Sequence, residues 1–275
     1  MDWSKIKNIF IISFLILDLY LIIELVEMFQ LSEYDVKAET ESSIETRLKA
    51  DEIQISVPLP KNNVQDYLLK AKPKTFTIED TEKSILADQN VTIQQNGTML
   101  ESTLKEPLKI SEKFGPNELN QFIKEHVLHG TQYTFWNKSD DGSTVTYTQQ
   151  YNNKKLFKNE HGQITFYIND SNEIDSYTQT YLDEIQELSN PEKIIQPIKA
   201  IETLFNKDEL PPKSKITNVE LGYYTLVPVL PDTRQVLNPA WCFEIEGKGK
   251  LYVSAFEGEI VTNLNNTTEK KEAME

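Results

Sequence analysis

Apolar residues crowd the start of the chain. Ile9 to Val26 read IFIISFLILDLYLIIELV, and Asp18 and Glu24 are the only charged residues among them. As a helix these eighteen residues reach about 27 Å, close to the hydrocarbon thickness of a bilayer. Lys5 and Lys7 precede the run, the next basic residue is Lys37, and Glu24, Glu27, Glu33 and Asp35 lie on the far side. That bias puts the N-terminus in the cytoplasm and the bulk of the chain outside. A cleaved signal would have a shorter apolar region and a small-residue cleavage site, whereas Glu27-Met-Phe-Gln-Leu-Ser-Glu33 follows here. The reading is a cytoplasmic stub at 1–8 and an uncleaved transmembrane helix at 9–26, a single-pass protein of the cell membrane.

Asp18 falls at the middle of this span, where a carboxylate costs about 2.5–3.5 kcal/mol. On a helix its face holds Ile11, Phe14, Leu15, Leu21, Ile22 and Leu25. A partner helix with a hydrogen-bond donor would offset that cost, so Asp18 and these six residues are the candidate partner-binding face. The plainer alternative is an Asp tolerated, protonated, in a very apolar helix.

Beyond the span the pattern becomes polar. Met28, Leu31, Tyr34, Ile44 and Leu48 keep loose helical spacing, which predicts a helical stalk over 27–50. Alternation then predicts strands at Ile53–Val57, Thr75–Ile78, Val91–Gln94 and, after the Asn96-Gly97 turn, Thr98–Leu104. A helix is expected over Pro116–Leu128, with Leu119, Phe122, Ile123 and Val127 on one face and Gly130 as its stop. Further strands follow at Tyr133–Trp136, Thr144–Tyr151, Leu156-Phe157, Gln163–Ile168 and Ile174–Ile185. Pro191–Phe205 reads as a second helix capped by Asn190, kinked or delayed by Pro197. Ile216–Val227, Ala240–Ile245, Leu251–Ala255 and Glu259–Thr262 are the last expected strands. The fold class is α+β: after the transmembrane helix, two similar subdomains of antiparallel sheet packed with helices, at 51–189 and 190–264, then a polar tail at 265–275.

Charge narrows the range of partners. The chain of 275 residues has 28 basic and 43 acidic side chains, and about −14 of its net −15 lies after Val26. An acidic domain repels nucleic acid and anionic lipid surfaces, so it stands off the membrane. Cys242 is the single cysteine, which excludes an internal disulfide and leaves the core to hold the fold.

Catalytic patterns are thin. His126 and His129 with His161 suggest a zinc site only weakly, because no H-E-x-x-H or cysteine pattern accompanies them. Ser102-Thr-Leu-Lys105 fits S-x-x-K but lacks the other motifs of a serine-lysine acyl enzyme. Asp170 to Asp175 lacks a calcium loop's glycine, and Cys242 between Trp241 and Phe243 reads as core. No catalytic residue, metal ligand or cofactor site is assigned.

Met1-Asp-Trp-Ser-Lys-Ile-Lys-Asn-Ile-Phe10, running into Phe14 to Leu21, resembles the start of the YycI (WalI) family. Tyr151-Asn-Asn-Lys-Lys-Leu-Phe157, Gly162 to Ile168 and Ser176 to Tyr181 resemble its central block. Pro239-Ala-Trp241 and Tyr252 to Ile260 resemble its end, which is PepSY-like. The central block departs from the family where Asn-Gly before a Pro is expected: Asn153 and Lys155 occupy those places, and Asn also adopts the left-handed turn conformation that Gly would supply. The resemblance implies a non-enzymatic regulator of the YycFG (WalKR) two-component system. Its implied partners are a YycH-like protein, a YycG/WalK-like sensor kinase that governs cell-wall metabolism, and the membrane. Nucleic acid is not among them, and a homodimer is compatible with the reading. The alternative is an extracellular binding module for a peptide or cell-wall fragment, with tandem PepSY-like units forming the groove.

Overall fold

Alternation at every second residue organises most of the chain. In Thr144–Tyr151, Val145, Tyr147 and Gln149 are buried while Thr144, Thr146 and Gln150 stay partly open, as in a strand with one face on a core. The computed structural model describes residues 7, 11–22, 44–60, 65–111, 114–225 and 234–262. The chain divides into two compact units, Met1–Gln54 with Asp208–Ser214, and Ile55–Lys207 with Lys215–Glu275.

In the first unit, residues 11–22 and 44–50 are helical. The Ile53 N–H donates to Leu48 O at 2.8 Å and closes the second helix. Lys213 N–H donates to Asp51 O at 2.8 Å, and Gln54 N–H to Ser214 O at 2.9 Å, which ties the Asp208–Ser214 segment to the end of that helix. Of the expected span Ile9–Val26, residues 9–10 and 23–26 lie outside the described residues, as do stalk residues 27–43 and the tail 265–275. No helix among the described residues is long and apolar enough to cross a membrane.

The strands in chain order are β1 (Gln54–Ile55), β2 (Gln65–Asp66), β3 (Leu69–Pro73), β4 (Gln89–Gln94), β5 (Met99–Lys109), β6 (Tyr133–Lys138), β7 (Thr144–Tyr151) and β8 (Lys154–Lys155). They continue as β9 (Gln163–Ile168), β10 (Glu173–Gln179), β11 (Leu182–Glu187), β12 (Glu192–Lys193), β13 (Lys215–Thr225), β14 (Gln235–Ile245) and β15 (Gly249–Ser254). A seven-stranded sheet runs β4-β5-β10-β9-β7-β6, with β8 paired to β7. A second sheet runs β13-β14-β3-β11, with β15 also on β14, and β2 pairs with β12. The architecture is mixed α+β, rich in sheet and poor in helix.

The core of the seven-stranded sheet is Leu100, Val145, Tyr147, Ile164, Phe166 and Tyr177, covered by Ile123 of the Asn120–His126 helix. Gln89 fixes that helix to the sheet. Its Nε2 donates to His126 O at 2.6 Å, and its Oε1 accepts from Ser102 Oγ at 2.5 Å and Tyr177 OH at 2.8 Å. Buried polar groups this well paired impose little penalty. Gly130 follows because a Cβ there would lie 1.9 Å from Ile123 O. On the second sheet lies the Pro197–Asn206 helix, which buries Ile198, Ala200, Ile201 and Leu204. Trp241 Nε1 donates to Ile195 O at 2.9 Å just before that helix begins.

Several sequence expectations are corrected. Thr75–Ile78 is not a strand. Pairing stops at Pro73, and Thr77 with Asp80 forms a capping box on the helical turn Ile78–Thr81, overriding the β-propensity of the segment. The second helix starts at Pro197 rather than Pro191, because proline is tolerated only in a first turn. Asn190 therefore caps nothing, and Glu192–Lys193 is strand β12. Ile174–Ile185 is two strands: β10 ends in one sheet and β11 begins in the other. Glu259–Thr262 keeps one bridge, Val253 to Ile260. Leu69–Pro73 and Leu182–Glu187, both inside the expected segment 51–189, pair into the sheet built on β13 to β15. Strand pairing thus divides the molecule differently from a boundary at 189/190.

Two predictions follow from this packing. A Cβ on Gly222 of β13 would sit 2.4 Å from Phe157 Cζ and 2.5 Å from Lys155 O. Gly222→Ala is therefore expected to destabilise the fold by about 1–3 kcal/mol, read as a lower urea midpoint with unchanged slope. For Asp80, burial alone would raise the pKa. Lys83 Nζ at 2.8 Å, the Thr77 N–H at 3.0 Å and Lys74 Nζ at 3.6 Å outweigh that and hold the carboxyl at about 2. Unfolded Asp titrates near 3.9, so the roughly 2 kcal/mol involved is fully present above about pH 4 and lost as pH falls towards about 2. The stability gap between wild type and Asp80→Asn should be open at about pH 6 and narrow below about pH 4. A gap that stays constant with pH would show that the carboxylate charge is not the cause.

Candidate functional site

The sequence-predicted face lies on the 11–22 helix. Helical geometry brings Ile11, Phe14, Leu15, Asp18, Leu21 and Ile22 onto one stripe, and Leu25 lies outside the described residues. On that stripe Ile11, Leu15 and Leu21 are 62%, 62% and 54% exposed. Away from it, Ile12, Ile16 and Leu19 are 58%, 62% and 56% exposed. The two sides are equal, so the helix has no packing face of the kind a surface helix turns to a core. Helices apolar on most sides are of the kind found in the core of a large protein or in a bilayer. Burying each such side chain stabilises by about 1.5–3 kcal/mol. Asp18 is the single described charge between Ile11 and Ile22. The other polar groups of this helix are the hydroxyls of Ser13 and Tyr20.

The other candidate chemistry does not assemble. His126 stacks on Phe122 with ring centroids 5.0 Å apart. His129, left-handed at φ 54°, stacks on Tyr181 at 4.2 Å, and burial together with Lys74 and Lys83 lowers its pKa. His161 Nδ1 meets Gln235 Nε2 at 2.9 Å. No group of three His, Cys, Asp or Glu residues is placed to hold a metal among the described residues. Ser102 and Lys105 sit three apart on β5 and so point to opposite faces. The Ser102 hydroxyl is spent on Gln89, and Lys105 Nζ donates to Ala87 O at 2.7 Å. Cys242 is buried, and that burial pushes its thiol up to about 12, away from nucleophile chemistry.

Two polar clusters in the second unit carry no sequence motif beyond the Lys154-Lys155 pair. In one, Asp66, 1% exposed, accepts from Tyr223 OH at 2.7 Å and Lys154 Nζ at 2.7 Å. In the other, Lys250 Nζ lies 3.6 Å from the Trp136 ring centroid and donates to Trp136 O, while Lys155 pairs with Glu220 at 2.9 Å. Trp136 reaches this cluster because it sits at a bulge in β6, between Phe135 and Asn137. Burial lowers the pKa of Lys250. Asp66 with Lys154 and Lys155 with Glu220 are ion pairs, and Lys250 is held by the Trp136 ring and carbonyl, so the clusters join strands rather than await a substrate.

Among solved structures, the chain is similar to an uncharacterized protein from Eubacterium rectale at 8% identity and TM-score 0.46, covering 76% of this chain and 90% of that one. It is also similar to the Bacillus megaterium YpeB C-terminal domain at 12% identity and TM-score 0.38, covering 66% and 92%. A third is YycH from Bacillus subtilis, at 15% identity and TM-score 0.42, covering 72% of this chain and 54% of that one. No curated protein matches the chain. Residues 31–256 match the family described as YycI protein. That match spans most of the 275 residues, and the chain belongs to the YycI family, the accessory regulators of the YycFG system.

Proposed function

We propose that the chain is a single-pass membrane protein whose N-terminal helix anchors it, N-terminus inside, and takes part in regulation. The stub at 1–8, the span at 9–26 and the stalk at 27–50 would present the sheet-rich part outside the cell. With a YycH-like partner it modulates a YycG/WalK-like sensor kinase, and through it cell-wall metabolism, by helix contacts in the bilayer and by contacts between extracellular domains. The observation that carries this reading is the 11–22 helix, exposed and apolar on all sides with one carboxyl. Family membership supports the regulatory role. A bound helix shifts a kinase between two packings only by its differential affinity for them. An interhelical polar contact of about 0.6–2 kcal/mol changes that balance by about three- to thirty-fold.

Asp18→Leu is therefore expected to change expression of a kinase-dependent reporter by at least about threefold, with the protein's membrane level unchanged. Ile12→Leu, on the far side of the helix, should leave the reporter where it was. Unchanged output in Asp18→Leu would sink the helix mechanism. Topology is tested separately. Buried Cys242 gives a silent background, so Lys248→Cys, at an exposed position of the β14–β15 turn, should react with an impermeant maleimide on intact cells and Ser4→Cys should not. The reverse labelling pattern would overturn the orientation.

A further inference from the structure

Strand β4 ends the seven-stranded sheet, with β5 as its neighbour on one side only. Just before it begins, the Lys105 N–H donates to Asp88 O at 3.2 Å, so Asp88 turns its backbone to β5. Bonded and non-bonded positions alternate along an antiparallel pair, and β4 and β5 pair without a register shift. Asn90, Thr92 and Gln94 therefore also bond to β5, whereas the N–H and C=O groups of Val91 and Ile93 point away from the sheet. Among the described residues no backbone bond outside the sheet engages those groups.

Proteins blunt exposed edges with charge, proline or a bulge. Three other edges here carry such devices. β6 has a bulge between Phe135 and Asn137 and ends in Lys138. β11 has Asp183, Glu184 and Glu187, with a register shift between Asp183 and Gln186. β15 carries Lys250, and its free side is bridged from Val253 to Ile260. β4 reads Gln89-Asn-Val-Thr-Ile-Gln94 and has no charge, no proline and no bulge. An edge left open in this way is a template for another strand.

The order of residues in β4 selects its occupant. About Thr92 the strand is symmetric in chemistry: amide, β-branched aliphatic, threonine, β-branched aliphatic, amide, from Asn90 to Gln94. A two-fold axis through Thr92, perpendicular to the sheet, sets each of these residues opposite its own kind in a second copy. Val91 then exchanges both backbone bonds with Ile93 of the second copy, and the two Thr92 residues meet at a non-bonded position. Val91 and Ile93 are only partly buried on the core side, and the pairing covers them further. On the other side Gln94 Nε2 donates to Glu101 Oε2 at 3.2 Å, which leaves the Gln94 Oε1 to accept from Asn90 of the second copy. A foreign extended segment requires no such symmetry in β4.

Charge favours the same arrangement. A chain of net charge −15 meets its own copy with least repulsion at an uncharged edge. Glu101 lies opposite Thr92 on β5, so the two Glu101 residues stand three strand spacings apart, about 14 Å and beyond the screening length of about 10 Å. Asp88 precedes the paired stretch. We propose that the protein forms a two-fold homodimer in which β4 pairs antiparallel with β4 of a second copy, centred on Thr92, and joins the two seven-stranded sheets edge to edge.

Oxidative crosslinking of the purified full chain in detergent tests this register, with buried Cys242 left in place and the wild type as background. Cα atoms of a non-bonded antiparallel pair lie about 4.5 Å apart, within the reach of a disulfide. Thr92→Cys is expected to give at least about tenfold more disulfide-linked dimer than the wild type. Asn90→Cys and Gln94→Cys, each about 13 Å from its own counterpart across the axis, should stay at background alone and crosslink to each other when mixed. Thr92 is exposed, so Thr92→Lys should melt like the wild type yet sediment as a monomer where the wild type sediments as a dimer. Thr92→Cys dimer at background level overturns the proposal. So does equal self-crosslinking at all three positions, or a Thr92→Lys chain that sediments like the wild type. The pairing needs neither the helix contact nor a kinase, so its failure leaves the Asp18 reporter result where it stands.

Discussion

The sheet-rich unit depends on one close approach: the segment Lys154 to Phe157 lying directly on β13 at Gly222. This segment leaves the seven-stranded sheet as β8, paired to β7 through Gln150 and Tyr151. Within two residues it is bonded to the second sheet. Leu156 bridges Tyr223 in parallel, and the Phe157 N–H donates to Tyr223 O at 2.6 Å. That geometry needs a residue without a Cβ beneath Phe157, and Gly222 supplies it. The side chains on either side extend the joint. Leu156 packs with Leu69, Leu182 and Leu237, while Phe157 packs with Cys242, Tyr252 and Trp136. Four successive residues thus take part in two cores and two ion pairs.

The polar half of the joint fixes where the strands sit more than it adds stability. Asp66 is buried, and its carboxylate accepts from Tyr223 OH, Lys154 Nζ and the Tyr67 N–H. Removing such a charge from water costs several kcal/mol, which its partners repay only when all are in place. A slip of β13 by one residue would turn Tyr223 to the other face and leave Asp66 without its hydroxyl donor. Only one register satisfies the carboxylate, whereas the surrounding leucines would tolerate several. Lys155 on Glu220 and Lys250 over Trp136 act in the same way on the opposite face.

Where the sequence alone was informative, a local rule and the tertiary structure agreed. Thr144–Tyr151 and Gln163–Ile168 fall on their predicted bounds, since alternation and turn residues both mark them. Asn152 and Asn153 take left-handed φ values of 49° and 61°, the property that lets Asn153 stand in for glycine. Sequence reasoning failed where a single strong local group competed with periodicity. Pro197 delays its helix past the six residues 191–196, and the Thr77–Asp80 capping box converts an apparent strand into a turn. It also failed where strands change sheets, as between Gln179 and Leu182, because alternation carries no information about which sheet a strand joins. The joint was visible only as a segment of family resemblance. Nothing in Lys154-Lys155 reveals that the two lysines end on Asp66 and Glu220.

Family membership and the helix mechanism rest on different parts of the chain. The YycI match covers residues 31–256, which includes both sheets and excludes Ile11 to Ile22. Identity therefore comes from the sheet-rich part, while the proposed contact within the bilayer falls on residues the match does not include. The physical demands on the two parts differ in the same way. Sheet pairing, the Gly222 approach and the Asp66 node fix a single arrangement, and a rigid body of that kind can present a surface but does not itself switch. The 11–22 helix has the opposite character: its large apolar side chains are similarly exposed all round, and Asp18 is its one charged residue beside the hydroxyls of Ser13 and Tyr20. A largely apolar helix with one charged group can pack against a neighbour in more than one rotation at similar energy, with that group setting the preference. That is the property a modulator of another protein's transmembrane helices needs. Identity is thus carried by a well-determined fold, whereas the proposed regulatory contact rests on a single carboxyl of a helix whose apolar sides are alike, and each is tested by a separate experiment.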